Sequence, residues 1–423
     1  MEQSMTLPTN THKNSDGPLM LKKALILPCG AIIKNRLCKS PMSDSLGNGA
    51  GDATDEQIRL YEKWAQGGVG LSIIGEVQID PSYPEKPGNL VFGEQSNLPM
   101  LCALASRGTI QGAHLWPQLG HAGALSHLPI SSPKGPSALD LDGLRCSALS
   151  VKEIQQLPAM YAKAALLAKE VGFSGVFIHA GHGFLLQQFL SPLFNHRSDS
   201  YGGSTEARFK IIFAVIQAVR EAVGSQFPIG IRINATDKLV GGITEVEALE
   251  VIKLLDQTSI DLIDISGGTY FPGAKASSDG NTTKGPYFLE FARTAKQHTK
   301  IPLMLTGGFK RYQQAVDAIE SGAADMVSLA RAMVLNPQLP SCWLAENSDD
   351  MSDGFDYRRD KEITFPSFES PPLGAITAWY TMRLVALGED KEHEFNLELL
   401  TALRLYEERD AERCSLWRDK FSK

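Results

Sequence analysis

Two histidines three residues apart, His179 and His182, stand where an apolar run ends, in VFIHAGHGFLLQQFLSPLFNHRSDSYGGS at residues 176–204. Val176 to Ile178 reads as a buried strand, and a polar loop punctuated by glycine follows it. Two imidazoles at one strand end can aim their N–H groups at a single substrate oxygen and stabilise negative charge as it develops there. The spacing admits two other readings. One is a metal pair, although the Glu of H-E-x-x-H is missing and the sequence indicates no third ligand. The other is a structural pair held inside the loop.

The elements that must position these residues are short and regular. Candidate strands are Asn35–Met42, Val69–Ile79, Ala113–Leu119, Gly175–Ala180, Pro228–Ala235, Leu262–Ser266, Pro302–Thr306 and Met326–Ala330. Each is nearly continuously apolar, as in a parallel sheet buried on both faces. Helical patterns lie between them. Thr54 begins a T-x-x-Q capping box with Gln57, and Gly67 closes that helix. Arg208–Val223 puts Ile211, Ile212, Val215, Ile216 and Val219 on one face, and Glu245–Leu255 does so with Val246, Leu249, Ile252 and Leu255. Strand and helix alternating eight times point to an α/β fold, a (β/α)8 TIM barrel with a C-terminal helical extension; a doubly wound sheet is the alternative.

Barrel chemistry sits at the C-terminal strand ends. Here these ends supply Ser40 to Ser43, Gln118 with His121, His179 with His182, Arg232 with Asn234, Ser266-Gly267-Gly268, Thr306-Gly307-Gly308 and Ala330-Arg331. Paired glycines let backbone N–H groups approach an anion, and Arg331 adds a bidentate cation. That combination reads as a phosphate site after the last two strands; otherwise the glycines make a tight turn and Arg331 lies on the surface. GNGAGD at 47–52 fails as a dinucleotide fingerprint, because its third glycine position holds Asp52, and it reads as a loop.

A length of 423 residues with 43% hydrophobic content suits one large core. Net charge −7 and a pI near 5.8 argue against nucleic-acid or anionic-membrane partners. The six cysteines show no CxxC spacing, which points to reduced thiols in a cytoplasmic protein. No run approaches the roughly 20 apolar residues of a membrane span. The expected organisation is a loose arm over 1–18, a barrel over 19–340, and a helical extension over 341–423 that packs on the barrel or at a subunit interface. That extension holds a Pro/Ser-rich linker at 365–373 and helical patterns at 375–386 and 394–420. The long segment 121–150 is expected to be a lid.

The motifs NRLCKSPM (35–42), QLGHAG (118–123), the 178–204 segment, IRINATD (231–237), LIDISGG (262–268), LTGGF (305–309) and LAR (329–331) resemble those of the Old Yellow Enzyme family of flavin oxidoreductases. The likeness covers about residues 25–337. It implies non-covalent FMN at the barrel mouth and NAD(P)H as reductant. Pro41, Met42 and Glu76 would contribute backbone to the flavin, with Ser43 near its O4 and N5. Gln118 would meet the pyrimidine edge and Arg232 the N1 and O2 side; Gly307, Gly308, Ala330 and Arg331 would hold the phosphate. His179 and His182 would grip an α,β-unsaturated carbonyl, a quinone or a nitro compound, beside Phe184 and Tyr270.

The family usually keeps a proton-donating tyrosine where this chain has Phe184, and phenylalanine cannot donate a proton. Water, Tyr270 or a lid residue is expected to serve instead, or the substrates to need no such proton. Other readings are a dehydrogenase or demethylase acting on a small amine or cyclic ketone, and a catalytically weak flavin-binding module. No cysteine cluster follows the barrel, so the Fe–S site of the larger dienoyl-CoA reductase branch is not expected. A small-molecule substrate is the expected partner, and a homo-oligomer is left open.

Overall fold

The computed structural model of the chain describes residues 17–274, 285–345, 361–372 and 374–421. Eight parallel strands close into a barrel: β1 Leu37–Lys39, β2 Leu71–Gln78, β3 His114–Gly120, β4 Val176–Ala180, β5 Ile229–Asn234, β6 Leu262–Ser266, β7 Leu303–Thr306 and β8 Met326–Leu329. Each pairs with its neighbour in sequence, and β8 pairs with β1 through Leu329 and Lys39. That last pairing closes the ring and removes the doubly wound alternative. The strands follow the candidate ranges to within a residue or are shorter.

Side chains alternate along each strand. Val176, Ile178 and Ala180 of β4 face the helical layer with Ile229, Ile231 and Ile233 of β5, while Phe177 faces inward. At the N-terminal end of the barrel the inward layer is apolar: Cys38, Leu71, Ile73, Trp116, Phe177, Leu262, Met304 and Met326. Gly230 belongs to this layer for want of room, since a Cβ there would meet the Phe177 ring at 2.3 Å. The antiparallel strands Leu25–Ile26 and Ile32–Ile33 cap this end, sending Leu25, Leu27 and Ile33 into the cluster.

Helices fill the outer layer, among them α1 Asp55–Gln66, α2 Val151–Glu170, α3 Thr205–Val223 and α4 Glu245–Leu255. Thr54 caps α1, accepting from Gln57 N at 3.2 Å. The expected reciprocal bond is absent, because the Gln57 amide turns to the buried Asp44 carboxylate, 3.0 Å away. Complete capping boxes form instead at Ser150 with Glu153 and at Thr244 with Glu247. The face expected of α3 is buried throughout. That of α4 is rotated: Val246 is exposed, and Ala248, Val251, Ile252 and Leu255 make the i, i+3, i+4, i+7 stripe.

Residues 121–150 fold into two short 3-10 turns and three small strands, Lys134–Gly135, Leu139–Leu141 and Leu144–Ala148. Arg197, in the loop after β4, donates to Pro136 O at 2.7 Å and Leu149 O at 2.8 Å and ties this segment to the strand end that carries the histidines. Beyond the barrel and a short helix at Leu339–Leu344, the described residues include α5 Ala375–Gly388 and α6 Leu399–Phe421. Helix α5 packs on α1, where Arg59 donates to Gly388 O. Helix α6 lies along the loops after β1 and β2: Arg413 donates to Ser45 O at 3.0 Å, Trp417 to Pro81 O at 3.0 Å, and Lys420 pairs with Asp52. Residues 1–16 of the expected arm, most of the 270–285 loop and Leu373 of the linker lie outside the described residues.

Candidate active site

Past the apolar layer, the inward positions of the same strands become polar. Ser40 follows β1, Gln118 lies on β3, His179 on β4, Arg232 on β5, Asp264 on β6, Thr306 on β7 and Ser328 on β8. A charge here needs a partner. Arg232 is buried and donates through Nε to Asp264 Oδ2 at 2.6 Å, with its Nη2 on the same carboxylate. Nη2 also reaches Ser40 Oγ and Thr306 Oγ1, and Thr306 Oγ1 donates back to Asp264 Oδ1 at 2.6 Å. Arg232 therefore arrives at the mouth held in one orientation.

The histidines are just as constrained. Strand β2 has a register shift between Ile74 and Val77, and Glu76 sits within it at φ 54. Such a bulge re-aims a side chain, and this one brings the Glu76 carboxyl to the interior. Its Oε1 lies 3.0 Å from His179 Nε2 and accepts from Gln118 Nε2 at 2.9 Å. His179 Nδ1 accepts from Gly181 N at 3.2 Å. His182 adopts φ 58, another left-handed backbone at a site residue. Its N–H donates to Asn234 Oδ1 at 2.9 Å, and its Nε2 stands 2.9 Å from Ser266 Oγ. The two imidazole rings meet edge to face at 5.4 Å. Phe184 packs 5.0 Å from the His179 ring, and Tyr270, 69% exposed, projects into the mouth 5.9 Å from Phe184.

Burial sets the proton balance. It pushes the Glu76 carboxyl up to about 8, against the opposing effects of the Arg232 charge and the Gln118 and Gln78 amides. Burial, then the charge of Arg232, holds both histidines well below the usual imidazole range. Glu76 Oε1 and His179 Nε2 share one hydrogen over 3.0 Å, while His179 Nδ1 accepts from the Gly181 N–H. Beside Gly75, which Ser43 bridges, Ser43 Oγ donates to Glu85 Oε2 at 2.7 Å, and Asn89 Nδ2 reaches both at 3.2 Å. Burial and the charge of Glu76 push Glu85 up to about 7. His121 takes no part in the pair: it stacks on Tyr83 at 4.5 Å and accepts from Gly123 N.

The phosphate side was expected after β7 and β8. Gly307 and Gly308 have φ +103 and +84, a run of backbone that side chains rarely adopt. Tyr287 lies against them, 3.1 Å from where a Gly307 Cβ would stand. Ala330 opens the short helix Arg331–Leu335, and the Arg331 guanidinium lies 5.1 Å over the Phe365 ring.

These residues fit FMN. Gln118 Oε1 and Glu76 Oε2 are buried without a hydrogen-bond partner, polar atoms waiting for a ligand edge. Met42 backbone runs so close to Gly75 that a Cβ there would meet Met42 O at 2.0 Å, leaving a flat floor beside half-buried Met42 and Ser43. Among the described residues no group of three or more His, Cys, Asp or Glu is placed to hold a metal ion, and no helix is long and apolar enough to cross a membrane. Shallow grooves at Arg59, Lys63 and Arg107 and at Phe368 and Leu399 lie on the exterior, away from the strand ends.

The strand-end rule found the histidines, Arg232, Asn234 and Ser266. It missed the Glu76 side chain, Asp264, Glu85 and Tyr287. Asp264 alternates inward on an apolar strand and was legible in principle; Glu76 needs the bulge, which no residue announces.

The family model for NADH:flavin oxidoreductase / NADH oxidase matches residues 29–347. The NADH-dependent flavin oxidoreductase iliE of Hypocrea jecorina is 36% identical over 349 residues, 75% of this chain and 86% of that protein. An NADH oxidase of Thermoanaerobacter brockii is 30% identical over 317 residues; the match takes in 73% of this chain but only 48% of that protein. Among solved structures, 2-naphthoyl-CoA reductase superposes with TM-score 0.71 at 26% identity, covering 77% of this chain and 52% of that one. Morphinone reductase in complex with tetrahydroNAD superposes with TM-score 0.66 at 24% identity, covering 78% and 92%. The last likeness shows the shared fold.

Proposed function

Since the chain belongs to the NADH:flavin oxidoreductase / NADH oxidase family and is an FMN-dependent NAD(P)H oxidoreductase, we propose that it reduces an electrophile of the α,β-unsaturated carbonyl class at the β4 end of the barrel mouth. The observation that carries this reading is the pair His179 and His182, fixed edge to face at one strand end within a polar cradle. When bound, FMN supplies hydride chemistry, taking two electrons from NAD(P)H and passing them to the electrophile.

The chain's own residues do the rest. Gly307, Gly308, Ala330 and Arg331 are the groups to hold the phosphate, and Gln118, Ser43 and the backbone of Pro41 and Met42 to meet the ring system. Arg232, clamped by Asp264, places positive charge where electron density gathers. His179 and His182 orient the electrophile's oxygen and stabilise charge developing on it. Asn234 and Ser266 keep His182 in place for that task. Phe184 closes the pocket beside His179 as an apolar wall.

Anaerobic mixing of the FMN-loaded protein with NADH and with NADPH tests the reading. Bleaching of the flavin by at least one of them, then recovery on addition of cyclohexenone, is expected. Bleaching that no enone, quinone or nitro compound reverses would refute it.

A further inference from the structure

The buried stripe of helix α6 holds Ala402, Asp410, Arg413, Cys414 and Trp417. Ionisable groups on a buried helix face need partners, and here the partners lie on loops at the C-terminal end of the barrel. We propose that α6 is a working part of the active site: through Arg413 and Trp417 it fixes the loops after β1 and β2 and so positions the cluster of Ser43, Glu85 and Asn89, an inference that rests on the function proposed above.

The loop after β1 turns at Ser45, whose φ of 53 is left-handed backbone on a side-chain-bearing residue. The Ser45 carbonyl accepts from Arg413 Nη1 at 3.0 Å. The segment GNGAGD then runs beneath α6. A Cβ on Gly49 would stand 2.9 Å from Arg413 Cγ, and one on Gly51 would stand 3.1 Å from Phe421 Cζ. Glycine at these two positions lets the helix lie directly on the loop, and Lys420 pairs with Asp52 at its end, 2.9 Å away. The loop after β2 is caught twice: Trp417 Nε1 donates to Pro81 O at 3.0 Å, and Asp410 Oδ2 stands 3.8 Å from Lys86 Nζ. The Lys86 N–H donates to Asn89 Oδ1 at 2.8 Å, which turns the Asn89 amide nitrogen toward Ser43 and Glu85. The two loops also meet each other, where Gly47 N donates to Gly88 O at 2.9 Å. Arg418 extends the brace to the 121–150 segment, donating to Pro129 O at 3.3 Å.

The ladder of β1 ends at Lys39, four residues short of Ser43, and Glu85 lies between β2 and the short strand Leu90–Val91. The cluster thus hangs on two loops, and both loops are anchored to one helix. A helix that only covered the barrel would set apolar side chains against apolar side chains; α6 directs its buried donors to loop carbonyls instead. Helix α6 lies outside residues 29–347, the part matched by the family model. Arg413 and Trp417 act through the backbone of Ser45 and Pro81, which makes them positioning residues.

Three variants test the brace in the FMN-loaded protein. Arg413→Met keeps an apolar stem against Gly49 but removes the donor, Arg413→Lys supplies a donor again, and Trp417→Phe removes only the indole N–H. Hydrogen exchange is read first. Amides of residues 43–53 and 80–92 should exchange on the order of 10-fold faster in Arg413→Met and Trp417→Phe. Strands β4 to β6 should keep their wild-type rates, and Arg413→Lys should regain part of the protection. Faster exchange confined to α6, with both loops at wild-type rates, would overturn the proposal. Steady-state kinetics are read second. The KM for cyclohexenone should rise on the order of 10-fold in Arg413→Met, with a smaller fall in kcat, and Arg413→Lys should reverse part of the rise. Loosened loops with the enone KM of the wild type would also overturn it, since α6 would then serve stability alone. A wild type that reduces no enone refutes the proposed function instead. The brace is then read from the Kd for FMN, which should rise in Arg413→Met and recover in Arg413→Lys; the same Kd in all three proteins would overturn it.

Discussion

At the N-terminal end of the barrel, the inward residues are Trp116, Phe177, Leu262, Met304 and Met326; two positions on along the same strands they are Gln118, His179, Asp264, Thr306 and Ser328. Gly230 and Arg232 repeat the contrast on β5. The lower layer is dry and held by packing, with Trp116 and Phe177 6.4 Å apart and Gly230 making room for the ring. The upper layer is held largely by hydrogen bonds, Arg232 by Asp264 and Thr306, and His179 by Glu76. One layer stabilises the ring; the other uses the rigidity so gained to hold strained and neutralised groups, such as Glu76 at φ 54.

The contrast breaks hardest at its lower half. Trp116→Ala removes the largest side chain of the apolar plug and should cost about 3–5 kcal/mol, read as a lower denaturant midpoint. Asp264→Asn asks whether the upper layer is structural as well. It leaves the buried Arg232 charge short of its counter-ion and should cost about 3–5 kcal/mol, with weaker FMN binding. A midpoint equal to wild type would mean that the upper layer carries function alone. Smaller still is Gly307→Ala, which forces a side chain into φ +103 against Tyr287. It should cost about 1 kcal/mol of stability and raise the Kd for FMN, measured by fluorescence titration.

A pH series separates the layers without changing the core. The folded Glu76 carboxyl titrates at about 8, against about 4.3 in an unfolded chain. The folded state thus binds a proton that the unfolded state has released between these values. The stability this gives the wild type relative to Glu76→Gln is full below about pH 4.3 and declines as pH rises to about 8. Denaturant midpoints of the two proteins should diverge across that window; parallel curves would place the Glu76 proton elsewhere.

Much of this was legible in the sequence, for physical reasons. Strands buried on both faces read as short apolar runs, and polar residues that interrupt their C-terminal ends, such as Gln118, His179 and Arg232, have no place but the mouth. The stripe of α3 followed from its spacing, whereas Val246 of α4 faces solvent because the helix turns its Ala248 and Val251 side inward. Gln57 looked like half of a capping box but is drawn off by Asp44, a contact distant in sequence. Glu76 was read for its backbone alone. A bulge depends on the register of two strands, and a single strand's residues do not encode it.

The central claim is that His179 and His182 grip the electrophile's oxygen over the flavin, and phenol binding tests it most directly. Titration of p-hydroxybenzaldehyde into the FMN-loaded wild type should raise a long-wavelength charge-transfer band. The double substitution His179→Ala with His182→Ala should abolish that band while FMN stays bound. The same band with the same affinity in the double variant would contradict the account.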